Sequence, residues 1–265
     1  MLEMFEYDFM QRAFIAGILI ATLASISGTF IVLKRYSMMS ETLAHSALVG
    51  VAVGLVAGLN PLWVAVVVAV LAALTIEYLR SSFALYSDAI LSIILSGSLA
   101  MAIIIVSLGG AFNNSLFSYL FGSILSVSSE DLVTIGIFGS ISLFLLIAFS
   151  RELYFIAYDE EVAKTSGIKV KLLNYLLVIV VAIIIALSIR VVGSLLIGAL
   201  MVIPTVAALQ FQKGFVQTLL IALFIALLSV VAGMTLSYHF SLPSGATIVL
   251  CVIVIFIVSL VSNRK

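Results

Sequence analysis

Apolar residues run through this chain in nine long blocks, each ended by a short polar or turn-forming interval. The blocks cover about 12–33, 39–58, 61–79, 89–108, 132–149, 172–189, 194–211, 215–236 and 245–261. A helix needs ~20 mainly apolar residues to cross ~30 Å of hydrocarbon, and each block is near that length. The breaks are of the expected kind: Lys34-Arg35, Gly58-Leu59-Asn60-Pro61, Arg80, Gly109-Gly110. Between the fourth and fifth blocks lies AFNNSLFSYLFGSILSVSSED, too polar for an ordinary span. Irregular backbone at membrane depth is tolerated only where protein surrounds it, so a short re-entrant or broken helix is predicted near 113–126. The pattern as a whole predicts an all-α polytopic transmembrane helical bundle of about nine spans, forming a single domain over 1–265.

Charge placement supports that count. Cytoplasmic loops carry an excess of Lys and Arg. With the Lys34-Arg35 loop inside, alternation also puts Arg80, Arg151, Lys164, Lys169, Lys171, Lys213, Arg264 and Lys265 inside. That is ten of the 12 basic residues, leaving Arg12 and Arg190 outside. A miscount would scramble this sorting. The expected topology has the N-terminus out and the C-terminus cytoplasmic.

Composition narrows the class. Hydrophobic residues make up 64% and charged residues 9% of the chain, against ~25% charged in a soluble domain. The formal net charge is zero, and no basic stretch interleaves with aromatics, so nucleic-acid binding has no support. Cys251 is the single cysteine and lies in an apolar block; it is expected to be a packed or lipid-facing thiol. MLEMFEYDF has no base, so no cleaved signal peptide is expected from it. No G-x-x-x-x-G-K-[ST] loop occurs, which removes the usual ATP cradle, and no H-E-x-x-H occurs either. Enzymatic chemistry is not predicted.

Two segments carry charge where it asks for a reason. The longest predicted cytoplasmic piece is about 150–171, SRELYFIAYDEEVAKTSGIKVK. Asp159 is a plausible N-cap there, Glu160 and Glu161 fill the first turn, and Gly167 can close the helix. Val162 and Ala163 sit between the charges in a way that suits docking on a cytoplasmic partner. The other segment is KRYSMMSETLAHSALVGVAVG, residues 34–54. Its Glu41 and His45 are four apart, hence on one helix face with Cβ atoms ~5–6 Å apart. A carboxylate and an imidazole so placed can touch one metal ion. Ionisable groups inside a membrane are costly and mark functional sites. The competing reading places Glu41 at the boundary and bonds His45 to a neighbouring carbonyl.

Other residues have plainer readings. His239, in SYHFSLPSG, falls outside, as a loop histidine or an outer-mouth contact. Glu77 and Asp88 are expected as boundary or partner-facing charges. Arg190 is expected to anchor a helix end by snorkelling to headgroups. Pro204 should kink or break the seventh span. Ser25, Ser27 and Thr29 are expected to bond between helices.

Several of these segments together resemble the permeases of the zinc/manganese ABC importers. FMQRAFIAGILIATLASISGTFIVLKRYSMMSETLAHSALVGVAVG is similar to the family's N-terminal signature, with its acid-x-x-x-His pair. SYLFGSIL resembles the central short helix, DEEVAKTSG the loop that contacts the ATPase, and SLLIGALMVIPTVAA and LPSGATIVL the late spans. The chain departs from the family at Glu41, where Asp is common, at Val49, where Pro is frequent, and at Ser241, which replaces an acid. The resemblance implies a transport subunit with no permanently bound cofactor, in the cell membrane, carrying Zn, Mn or Fe as divalent ions. It implies Glu41 and His45 as metal contacts. It also implies Asp159, Glu160, Glu161, Val162, Ala163 and Gly167 in an ATPase-coupling loop. The implied partners are cytoplasmic ABC ATPases, an extracytoplasmic metal-binding protein and a second permease copy. Two alternatives stand beside it. An iron-chelate or cobalamin permease would not need a His–carboxylate pair, and an ATP-independent channel or secondary transporter would pass metal alone.

Overall fold

A computed structural model describes residues 6–83, 86–108, 114–123 and 127–262. Every regular element among them is a helix. They are α1 (Asp8–Leu33), α2 (Ser37–Ala57), α3 (Pro61–Ser82), α4 (Ser87–Leu108), α5 (Asn114–Phe121), α6 (Ser129–Ala148), α7 (Ser150–Tyr158), α8 (Glu160–Thr165), α9 (Val170–Val192), α10 (Ile197–Leu209), α11 (Phe215–Phe240) and α12 (Ser244–Ser262). Eight are long and apolar enough to cross a bilayer, and α10 is a shorter apolar helix. α10 corresponds to the seventh predicted span and carries Pro204 within it. The stretch around it still runs from end to end. It starts beside α5 (Ser194 N–H to the Tyr119 carbonyl, 2.9 Å). It finishes where Phe215 meets Phe30 and Tyr154. Among the described residues, the eight long helices and the shorter α10 are consistent with the nine or so spans that the hydrophobic pattern predicts. The short helix expected near 113–126 is α5; residues 109–113 and 124–126, which flank it, lie outside the described residues, as do 1–5.

Local signals place the helix ends. Asn60 accepts from the Leu62 N–H and Pro61 takes the first helical position of α3, where its missing N–H costs nothing. Ser128 and Asp131 form a reciprocal capping box at the start of α6, satisfying two of the donors a helix start leaves open.

α1, α2 and α9 form the centre, and α3, α4 and α6 turn much of their surface outward. Lipid supplies no hydrophobic drive between helices, so close packing relies on small residues. A Cβ added at Gly50 would stand 2.5 Å from Cα of Ala65, and one at Gly28 would stand 2.0 Å from the Met201 carbonyl oxygen. These contacts fix α2 against α3 and α1 against α10. Thr29 and Thr205 join α1 to α10 by a hydroxyl–hydroxyl bond of 3.2 Å. Ser25 and Ser27 instead bond carbonyls of their own helix.

The polar residues gather at opposite ends. At one, Lys34, Arg80, Glu160 and Lys164 lie within one network. At the other, Arg12 bonds Ser129, and Arg190 grips both oxygens of Asp131 at 2.5 Å. The expected snorkelling of Arg190 is therefore corrected. Its guanidinium turns toward a buried carboxylate and ties α9 to α6, because a charge in this position gains more from a paired acid than from headgroups.

Candidate functional site

α2 is buried along almost its whole length, Met39 through Ala52, with Glu41 as the exception. Glu41 is exposed, one turn before His45, which is 5% exposed. The His45 Nδ1 is buried with no hydrogen-bond partner. An unpaired polar atom in such a place costs free energy that nothing else at this position repays. The imidazole lies within the field of the Glu41 carboxylate. The predicted helical spacing thus holds, and no carbonyl bonds Nδ1. Small residues bring α10 to the same place. A Cβ at Gly198 would lie 3.4 Å from the Ser40 hydroxyl and 3.6 Å from the Glu41 nitrogen. Ser46, one residue after His45, bonds Ser98 of α4 at 2.9 Å.

The donor set is a bare pair. Among the described residues no three His, Cys, Asp or Glu side chains come together to hold a metal. Two ligands bind an ion loosely and leave its other positions open, unlike a closed four-ligand zinc cage. Mixed imidazole and carboxylate donors suit zinc, manganese or ferrous iron, whereas magnesium and calcium prefer oxygen alone.

The predicted coupling segment is resolved into two helices. Asp159 caps α8, accepting from the Glu161 and Val162 N–H groups at 3.0 Å each. Gly167, at φ 81°, ends it. Glu161 and Val162 are exposed, Val162 by 47%. Ala163 is fully buried and anchors the helix inward, so of the two predicted apolar positions only Val162 faces out. Glu160 reaches back toward Arg80, 3.7 Å away.

His239 ends α11, exposed, its ring edge-on to Tyr238 at 5.5 Å. It stands well apart in the chain from Glu41 and His45. Asp88 is exposed, as a boundary charge should be. Glu77 is not. It is 1% exposed and holds Arg80 through two bonds, 3.0 and 2.6 Å, so the partner-facing reading of Glu77 is corrected. Sequence reasoning missed this link, although the i,i+3 spacing of Glu77 and Arg80 signals it.

Lys34 belongs to the same end, donating to the Asn174 amide oxygen of α9. Burial, the largest influence, lowers its pKa from the usual 10.5 to about 8, against the pull of Glu160. The unfolded chain then binds more protons than the folded one between about pH 8 and 10.5, so stability rises with pH across that window. Wild-type protein in detergent is expected to gain melting temperature relative to Lys34→Met between pH 7.5 and 9.5. A difference that stays flat with pH would show that Lys34 is not buried as a base.

The family model described as "ABC 3 transport family" matches residues 6–263. The chain is 32% identical over 259 residues to the high-affinity zinc uptake system membrane protein ZnuB of Haemophilus influenzae, covering 98% of this chain and 99% of that one. It is 31% identical over 255 residues to the manganese import system permease protein ScaB of Streptococcus gordonii, covering 96% and 91%. Among solved structures it resembles PsaBC from Streptococcus pneumoniae in complex with Fab. The TM-score there is 0.84 at 30% identity, with 96% of this chain and 91% of that chain covered.

Proposed function

This chain belongs to the ABC 3 transport family, and from that membership we propose that it moves zinc, manganese or ferrous iron inward through the Glu41–His45 level. It is the membrane-spanning permease of an ATP-binding-cassette importer for a divalent transition metal. It is a transport subunit, and ATP is hydrolysed by separate cytoplasmic ATPases. The observation that carries the site is the exposed Glu41 beside the unpartnered Nδ1 of His45 on an otherwise buried helix. A carboxylate on a membrane-spanning helix is expensive unless it faces water, an ion or another protein surface. A second copy of the chain, set across a two-fold axis, would face one pair with another and raise the donor set from two to four. An extracytoplasmic metal-binding protein delivers the ion at the Arg12/Arg190 end, where His239 offers an outer-mouth contact. The Lys34/Arg80 end and the C-terminus are cytoplasmic, and the ATPases engage residues 158–168 through Glu161, Val162 and the turn at Gly167.

Mechanistically, closure of the ATPases displaces α8 and tilts the central helices, opening the Glu41–His45 level alternately to each side. The ion moves because its ligand set is incomplete on either side of that change. Two classes of transport separate cleanly in liposomes. The chain alone is expected to pass no zinc or manganese, and the assembled complex with ATPase and binding protein is expected to accumulate metal only with ATP. Metal flux through the chain alone would instead establish a channel or secondary transporter.

A further inference from the structure

The cytoplasmic end holds a network that spans three elements distant in sequence. Arg80, near the end of α3, has its guanidinium fixed on one side by both Glu77 oxygens. A further nitrogen of it lies 3.7 Å from Glu160 of α8. Its central carbon lies 5.4 Å from the ring centroid of Tyr36. Lys34 stands over the same ring at 5.1 Å. Tyr36 is the residue on which α2 begins: its N–H bonds the Ile31 carbonyl at 2.8 Å and its carbonyl receives the Met39 N–H at 2.8 Å. The ring thus has two cations within reach while its backbone closes the α1–α2 turn.

We propose that Glu160, Arg80 and Tyr36 form a relay that carries movement of α8 to the first turn of α2, and so to Glu41 and His45. The proposal rests on the reading that ATPase motion enters at α8. Three features of the geometry support it. α2 is one continuous helix from Ser37 to Ala57, so a push at Tyr36 moves Glu41 and His45 with it. The two links between elements are a partly exposed ion pair and a cation–ring contact, both of a weak kind that can be made and broken in each cycle. The Glu77–Arg80 pair, by contrast, is buried, and a buried ion pair is poor evidence of added stability but fits a role in holding one arrangement. Tyr36 and Arg80 are positioning residues on this account, acting on the metal site only through α2.

The test is the number of ATP molecules hydrolysed per manganese or zinc ion delivered, in proteoliposomes holding the assembled complex, normalised to the amount assembled. Tyr36→Leu and Glu160→Gln are each expected to raise that ratio at least about fivefold. The double variant should be no worse than the poorer single, because both cut one line. Tyr36→Phe keeps the ring and should restore the wild-type ratio. Glu160 sits half-exposed on a surface helix, so its amide variant leaves the fold intact. Unchanged ratios in both singles, losses that multiply in the double, or a Tyr36→Phe as poor as Tyr36→Leu would overturn the relay. A wild-type complex that moves no metal would overturn the transport reading, and the relay with it.

Discussion

Replacing His45 by alanine is expected to lower ATP-driven metal uptake at limiting metal by at least about 100-fold. Removing a group that merely orients a metal ligand costs about 10–100-fold in affinity or activity, and His45 is proposed as a ligand itself. Among the described residues no third His, Cys, Asp or Glu side chain joins this pair, so none of that kind stands ready to take over the lost position. Glu41→Gln should weaken uptake too. It preserves shape and exposure while removing the charge that draws a divalent cation into a low-dielectric place. The controls are the amount of complex assembled and its ATP hydrolysis without metal, which report folding rather than ion contact. The measurement is initial uptake of zinc and manganese by proteoliposomes holding the assembled complex. Normal uptake by the alanine variant would take His45 out of the pathway and leave Glu41 as a boundary charge.

That experiment tests a pair visible in the linear sequence, and the reason it was visible is instructive. Within apolar helices a carboxylate and an imidazole four residues apart stand out, because membrane burial makes every such group expensive. The span pattern was legible on the same ground. Lipid imposes one length rule on every helix, and Lys34-Arg35, Asn60-Pro61 and Arg80 mark where it stops applying. The cap at Asp159 and the closure at Gly167 are local chemistry, readable over eight residues. What stayed hidden is whatever depends on partners far along the chain. Arg190 read as a snorkelling helix end because its acid, Asp131, lies 59 residues earlier. Glu160 read as a first-turn charge of the coupling segment, and its link to Arg80 stayed hidden because Arg80 is on another helix. Ala163 and Val162 look alike in sequence, yet one is buried and the other exposed, since the docking of α8 on the bundle settles which face is which. α10 begins three residues later than the apolar block suggests, because residues 194–196 are taken up by a backbone crossing with α5.

That crossing yields a large stability effect expected of a single methyl group. Gly193 sits at φ 92° and ψ 152°, a region open essentially to glycine alone, where another residue costs ~1–3 kcal/mol of strain. A Cβ there would also stand 2.4 Å from the Leu120 carbonyl oxygen and 2.5 Å from the Gly122 nitrogen. Both are backbone atoms of the α5 turn and cannot swing aside. The neighbouring bonds hold the same two strands of chain together, Ser194 N–H to the Tyr119 carbonyl and Leu195 N–H to the Leu120 carbonyl. Gly193→Ala must therefore part α5 from the start of α10 and lose those bonds in protein interior, where water cannot replace them. Strain and lost bonds together are expected to cost at least about 3 kcal/mol, seen as a lower melting temperature and a reduced yield of folded protein in detergent. Gly136→Ala is the matched control: Gly136 is helical and its added methyl would meet nothing within 4 Å, so no loss and at most a gain of about 1 kcal/mol is expected. Equal melting temperatures for the two variants would show that the α5–α10 crossing is not packed as described. The consequence reaches the metal pathway, because α10 is the helix laid against Ser40 and Glu41 at Gly198. Any Gly193 variant that survives folding should bind metal more weakly than wild type, since the helix laid against the Glu41 backbone will have moved.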